Sequence, residues 1–434
     1  MARHSILKLS ALLPLLVAPG CTVTSGRLDP TYDLAEARVR PGITVLLSDS
    51  MKLIENKRIA LLTNQTGVNE RGRSDIDLLT DERAKKAGVN LVRLFAPEHG
   101  IRGTEDREGV SGEVDQRSGL PVVSLYGRET TAPPDSLMRD VDALVFDLQD
   151  IGTRTWTYVG AMIYSMRTAK RTGKTIIVLD RPNPITGFYV EGPLLDSSLA
   201  NPNDPTPERR GQAYALWPMP LRHGMTMGEM ALYFNEVLDI KADLKVVPMR
   251  GWRRELWFDR TGLPWVRPSP NMPTLQSAMI YPALVAFEAS NLSVGRGTPN
   301  AFQIIGAPWL KAQETVNLLR EREIRGVRFL VEEFTPQSPT DNKYANQKVQ
   351  GIRILVTNRT SMQPSRVGAA LLWAINKTSG GDLRIDNAAF DLRFGSPSAR
   401  EALLKGEDPD AVIDRQYASV FQFRERTRRF HLYR

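Results

Sequence analysis

Asp142-Ala-Leu-Val-Phe-Asp147, followed at once by Leu-Gln-Asp-Ile-Gly-Thr-Arg154, decides the fold. An unbroken apolar run bounded by acids reads as a strand buried on both faces, the environment of a parallel sheet. The same signature recurs at 58–63 (RIALLT), 90–96 (NLVRLFA), 175–180 (TIIVLD) and 244–248 (LKVVP). Helical patterns separate these runs at 75–87, 136–139, 158–171 and 227–238. The last opens with Thr226 and Glu229 at the spacing of a capping box. Strand–helix alternation predicts an α/β fold, with a Rossmann-like parallel sheet domain over residues 41–265.

Outward from that domain the pattern changes. Trp265-Val-Arg-Pro-Ser-Pro-Asn-Met-Pro273 cannot sit inside a helix or a central strand. Strand candidates at 301–305, 326–332 and 351–357 follow it, with helices at 312–320, 366–377, 398–404 and 410–429. They predict a smaller C-terminal α/β domain over 266–434. The Pro-, Asn- and Asp-rich stretch 196–210 reads as a surface loop or lid.

The 434 residues are 41% hydrophobic, enough for large cores without disulfide or metal staples, and this excludes a mainly disordered chain. Residues 1–20 read as a signal peptide, with Arg3, His4 and Lys8 ahead of a short apolar run. The single cysteine, Cys21, follows Ala18-Pro19-Gly20, which resembles a bacterial lipoprotein processing site. Lipidation there, followed by a flexible tether over 21–40, would leave the body in water but anchored. The expected location is the periplasm or cell envelope, with no membrane contact beyond that anchor. Without Arg3 and Lys8 of the signal peptide the formal charge of +8 becomes +6, and 421–434, with five Arg against one Glu, holds +4 of it, which reads as a solvated helix end. A nucleic-acid partner, which needs a broader basic face, is not expected.

Ligands of open parallel sheets bind beyond the carboxyl ends of the strands. There the chain carries Asn64-Gln65-Thr66-Gly67, then Pro97-Glu98-His99-Gly100-Ile101-Arg102-Gly103, then the 147–154 stretch, then Asp180-Arg181-Pro182-Asn183-Pro184. Asn, Gln, Asp and Arg are fixed-geometry hydrogen-bonders suited to hydroxyl-rich or anionic ligands. This assigns Asn64, Gln65, His99, Arg102, Asp147, Gln149 and Asn183 to a binding edge. No G-x-G-x-x-G follows the first strand, and no P-loop, H-E-x-x-H, C-x-x-C or G-x-S-x-G occurs, so no cofactor and no metal are expected; a carboxylate Mg²⁺ or Ca²⁺ site at Asp147, Asp150 or Asp180 is the lesser alternative.

What remains is carboxylate chemistry. Glycoside hydrolysis needs an acid for the leaving oxygen and a second carboxylate or an assisting substrate group. Glu98, directly after a strand and held between glycines, is the candidate acid. Asp150 is the candidate second carboxylate, and Asp147 reads either as that group or as a strand-end residue holding loop amides. Arg154, Arg181 or Arg296 offers a bidentate clamp for an anionic substituent. Trp156, Tyr158 and Trp265 are either core residues or sugar platforms. His223, leading into the 227–238 helix, orients a ligand or serves structure. The Gly-hinged loop around Arg296 is placed to close over the site from the second domain.

Seven ordered stretches resemble the peptidoglycan exo-β-N-acetylmuramidase family: 62–67, 96–103, 147–154, 180–184, 220–226, 268–273 and 293–298. The similarity spans about residues 40–434. The resemblance implies a Rossmann-like domain, a smaller C-terminal α/β domain and an active cleft between them. It implies release of N-acetylmuramic acid from non-reducing ends of peptidoglycan fragments, with Glu98 at the position of the family's glutamate. It brings Asn271 into the binding set, and the lactyl carboxylate of muramic acid accounts for Arg296 or Arg154. The sugar's own 2-acetamido oxygen is an alternative to a second carboxylate. Two other readings stand beside this one: a non-catalytic cell-wall-binding lipoprotein and a carboxylate-metal hydrolase.

Overall fold

Strands β1 (Arg58–Thr63), β2 (Asn90–Ala96), β3 (Glu113–Val114), β4 (Pro121–Ser124), β5 (Ala143–Asp147) and β6 (Thr175–Leu179) are followed by β7 (Glu191–Leu194), β8 (Pro220–Arg222) and β9 (Asp243–Val247). The computed structural model describes residues 39–97, 100–101, 113–125, 132–201 and 214–434. A seven-stranded sheet runs in the order β3-β4-β2-β1-β5-β6-β9. All its neighbours pair in parallel except β3, which runs antiparallel to β4 at the edge. β7 and β8 form a separate antiparallel pair.

The unbroken apolar runs are explained by burial on both faces. Ile59, Leu61, Ala143, Val145, Ile177 and Leu179 point to one side, against Ile43 and Leu46 of helix Gly42–Asp49 and Ile76 and Leu79 of helix Asp75–Leu79. Ala60, Leu62, Leu144, Phe146, Ile176 and Val178 point to the other. They meet Met162 and Ile163 of helix Tyr158–Thr172 and Met230 and Phe234 of helix Met227–Val237. That second core is continuous with the interior of the C-terminal half.

In that half, β10 (Ile304–Ala307), β11 (Val327–Phe334) and β12 (Val349–Val356) form an antiparallel sheet in the order β10-β12-β11. Helices Ala312–Glu321 and Pro364–Thr378 accompany it, and helices Asn387–Phe394, Pro397–Leu404, Pro409–Asp414 and Tyr417–Thr427 complete the half.

Some boundaries differ from the sequence reading. The helix expected over 75–87 is two short helices, because Asp81 accepts from Ala84 N and caps a second start at Glu82. The helix expected over 410–429 breaks at 415–416 into Pro409–Asp414 and Tyr417–Thr427. β4 was not expected, since it begins on Pro121, tolerated as the first residue of a strand. The signal peptide, Cys21 and nearly all of the 21–40 tether lie outside the described residues, as do residues 202–210 of the expected lid.

Candidate active site

Loops at the carboxyl ends of β1, β5 and β6 are tied to one another by side chains. Thr63 Oγ1 donates to Asp147 O at 2.9 Å. Asn64 Oδ1 accepts from Thr66 N and Oγ1 at 2.9 and 2.6 Å. Its Nδ2 donates to Tyr158 Oη at 2.8 Å, and that hydroxyl donates to Pro268 O at 2.8 Å. Gln149 Nε2 bridges Asp150 O and Pro182 O, both at 2.7 Å. Asn183 Nδ2 donates to Met225 O, while its Oδ1 accepts from Ile185 N. Asn64, Gln149 and Asn183 therefore build the edge; their polar atoms are largely taken up by the protein.

Two of the strand-end acids are also fully engaged. Asp147, with no solvent exposure, receives a two-pronged pair from Arg181, whose Nη2 also donates to Val68 O. Asp75 shares that pocket, with its Oδ2 3.9 Å from Arg181 Nη2. Burial and then the neighbouring Asp147 charge push the Asp75 carboxyl well above its usual range, against Arg181. Asp180 accepts from the N–H groups of Arg181 and Gly228 through Oδ1, and from Thr226 Oγ1 and Tyr433 Oη through Oδ2. Burial nevertheless raises it to about 7. With Asp147 and Asp180 so committed, neither is left for a cation. Among the described residues no three acids, histidines or cysteines converge as metal ligands.

Asp150 differs. Oδ2 accepts from Gly152 N at 2.6 Å, while Oδ1 is buried with no hydrogen-bond partner. His223 Nε2 lies 3.3 Å from Asp150 Oδ2, close enough for charge contact but not aligned as a hydrogen bond. His223 Nδ1 accepts from Met225 N at 3.1 Å, so a neutral ring carries its proton on Nε2, facing Asp150. Gln65 has a similar free valence: Nε2 donates to Arg267 O at 2.8 Å, and Oε1 is buried without a partner. A cavity of about 330 Å³ opens beside Gln65, bounded by Gly67, Arg73, Asp77, Arg117 and Ile101. That volume is in the range of small-ligand sites.

Both halves are matched by models of one family. The model described as the N-terminal domain of the exo-β-N-acetylmuramidase NamZ covers residues 59–276, and that of its C-terminal domain covers 279–433. The chain belongs to the NamZ exo-β-N-acetylmuramidase family. A peptidoglycan β-N-acetylmuramidase NamZ from Bacillus subtilis strain 168 is 36% identical over 417 residues, which is 95% of this chain and 96% of the relative. Two crystal structures of DUF1343 family proteins from Bacteroides fragilis are similar throughout. One has a TM-score of 0.80 at 32% identity and covers 92% of this chain and 100% of its own. The other has a TM-score of 0.70 at 26% identity and covers 91% and 99%.

Glu98, His99 and Arg102 lie outside the described residues, between Pro97 and Ile101 or just beyond. Arg154 is buried, and its guanidinium donates to Tyr214 O, Leu392 O and Arg393 O. It thus closes the last turn of helix Asn387–Phe394 onto the β5 loop, a favourable end for a cation. Burial lowers its pKa to about 9. Arg296 pairs with Glu288 at 2.5 Å and stays partly exposed, at 23%. Asn271 is buried and its main-chain N donates to Ser269 Oγ. Trp156 and Tyr158 are core residues, edge-on to each other at 5.6 Å, and Trp156 is likewise edge-on to Tyr281 at 5.8 Å. Sequence reading missed Asp75 and Glu288, the partners that complete the Arg181 and Arg296 sites. Each is an acid in a helical stretch, which from sequence alone reads as a cap or a solvated charge.

Proposed function

We propose that this chain is an exo-acting β-N-acetylmuramidase that releases N-acetylmuramic acid from the non-reducing ends of peptidoglycan fragments. The observation that carries this is end-to-end similarity to a peptidoglycan β-N-acetylmuramidase across both domains. The unclaimed oxygens of Asp150 and Gln65 at the edge of the sheet support it, because a hydroxyl-rich sugar supplies the donors they lack.

In this reading Glu98 is the general acid that protonates the leaving oxygen. Asp150 is the second carboxylate, acting on the anomeric side or on a polarised 2-acetamido group. Its support is its free valence: one oxygen is held by Gly152 N–H, and the other is buried and unclaimed. Gly152 N–H orients the carboxylate, and His223 faces the same oxygen at 3.3 Å as a positioning residue. Arg296 is preferred over Arg154 for the lactyl carboxylate, since Arg154 is committed to three main-chain carbonyls. The chain is exported and lipidated at Cys21, as the signal-like start implies.

A chromogenic N-acetylmuramide tests the activity. Wild type should release the chromophore, and Glu98→Gln should lose the rate by about 10²–10⁴-fold, the range of a general acid. An unchanged rate in Glu98→Gln would remove the proposed acid, and no release by wild type would remove the activity.

A further inference from the structure

The last helix, Tyr417–Thr427, is amphipathic in an unusual way. Val420, Phe423, Thr427 and, in the following turn, Phe430 are buried. Phe423 and Phe430 pack edge-on against Tyr233 of helix Met227–Val237, at 6.0 and 5.4 Å. The outward side carries Tyr417 at 72% exposure and Phe421 at 51%. Arg424 and Arg428 continue the same stripe at helical spacing, and both are exposed. Neither forms an ion pair among the described residues, whereas Arg429 pairs with Glu236. A large exposed aromatic pair ahead of unpaired arginines is not needed to solvate a helix end.

The place where the chain enters the described body adds an independent constraint. Arg40 and Arg250 exchange main-chain hydrogen bonds at 2.9 and 3.0 Å. The tail docks on the same segment: Arg254 N donates to Arg434 O, Met249 N donates to Tyr433 Oη, and the Trp252 and Tyr433 rings meet at 4.9 Å. Arg40, next to the first described residue, and the arginine-rich tail thus both bind the segment at residues 249–254. Leu432, 38% exposed, lies there too.

We propose that the outer face of the last helix, Tyr417, Phe421, Arg424 and Arg428, is a docking surface for an anionic phospholipid bilayer. Arginines attract acidic headgroups, and aromatic rings settle at the headgroup level. A polyanion in free solution would account for the arginines but not for the bare aromatic rings. The surface goes beyond the muramidase reading and does not depend on it. Tyr433 at the end of the tail reaches Asp180, but Tyr417, Phe421, Arg424 and Arg428 are exposed and none of them belongs to the candidate site.

The test uses the chain from Thr22 onward, which keeps every described residue and removes any acyl group. It is sedimented with vesicles of phosphatidylcholine alone or mixed with phosphatidylglycerol, at low and high salt. Binding is expected to the mixed vesicles and to weaken with salt. Arg424→Gln with Arg428→Gln should lower the partition coefficient by roughly 25-fold, about fivefold per arginine. Tyr417→Ala with Phe421→Ala should lower it by roughly tenfold. Melting temperature and chromophore release should match wild type in both variants. Equal partitioning of wild type and variants, or no binding to mixed vesicles, overturns the proposal. So does binding to a soluble poly(glycerol phosphate) that is lost in the arginine variant while vesicles are ignored, which would assign the surface to a polymer.

Discussion

Asp147, the last residue of β5, and Asp150, in the loop that follows, are three residues apart, yet they live in opposite chemical conditions. Asp147 is held two-pronged by Arg181. Asp150 keeps one oxygen unclaimed beside His223. Burial is nearly the same, so exposure does not separate them. What separates them is unfilled hydrogen-bonding capacity. A buried acid whose lone pairs are all met is construction material. A buried acid with an unmet oxygen carries a desolvation cost that only a ligand, a water or a proton can offset.

The largest effect should come from breaking the filled site. Arg181→Met removes the one cation between Asp147 and Asp75, both without solvent exposure. Asp147 is left as an uncompensated buried carboxylate beside Asp75, whose own carboxyl is pushed well above its usual range, and breaking a buried pair in this way costs about 3–5 kcal/mol. Urea unfolding measures it. A loss below about 1 kcal/mol would mean that the pair is not what holds these loops together.

The unfilled site should respond in the opposite sense. Asp150→Asn is expected to lower kcat by about 100-fold, with the unfolding free energy nearly unchanged. His223→Gln should lower kcat less, by about tenfold, and shift its pH profile, because it acts only by orienting Asp150. If Asp150→Asn costs stability and spares kcat, the contrast with Asp147 dissolves and the assisting group belongs to the substrate.

How much of this was legible in the sequence follows from range. The strands at 58–63 and 90–96 were read to the residue, because burial on both faces writes itself locally as unbroken apolar runs. The edge loops were legible because chemistry-bearing residues cluster directly after those runs. What was not legible is which of them are filled. Asp180 receives its decisive donor from Tyr433, 253 positions away, and Arg154 reaches carbonyls of Leu392 and Arg393 at comparable distance. No local pattern announces a partner that tertiary packing delivers.

That long-range donor gives the prediction with the sharpest sign. Asp180 is raised by burial to about 7, so the folded state holds its proton where the unfolded chain, near 3.8, has released it. The stability tied to this group is therefore present below about pH 4 and is lost as pH rises toward 7, by up to about 1.4 kcal/mol per pH unit. His431 works the other way, since burial holds it down to about 4 against its ordinary 6.5. Its contribution grows as pH rises across much of the same interval, so the total curve mixes two slopes. The difference between wild type and Asp180→Asn, measured by urea unfolding at stepped pH, cancels His431 and isolates Asp180. That difference should shrink in favour of wild type as pH rises, then level off above about 7. Tyr433→Phe removes the hydroxyl that steadies the charged form and should carry the decline to higher pH. A difference that is flat with pH would mean that the four donors around Asp180 outweigh its burial, making it as ordinary a carboxylate as a solvated one.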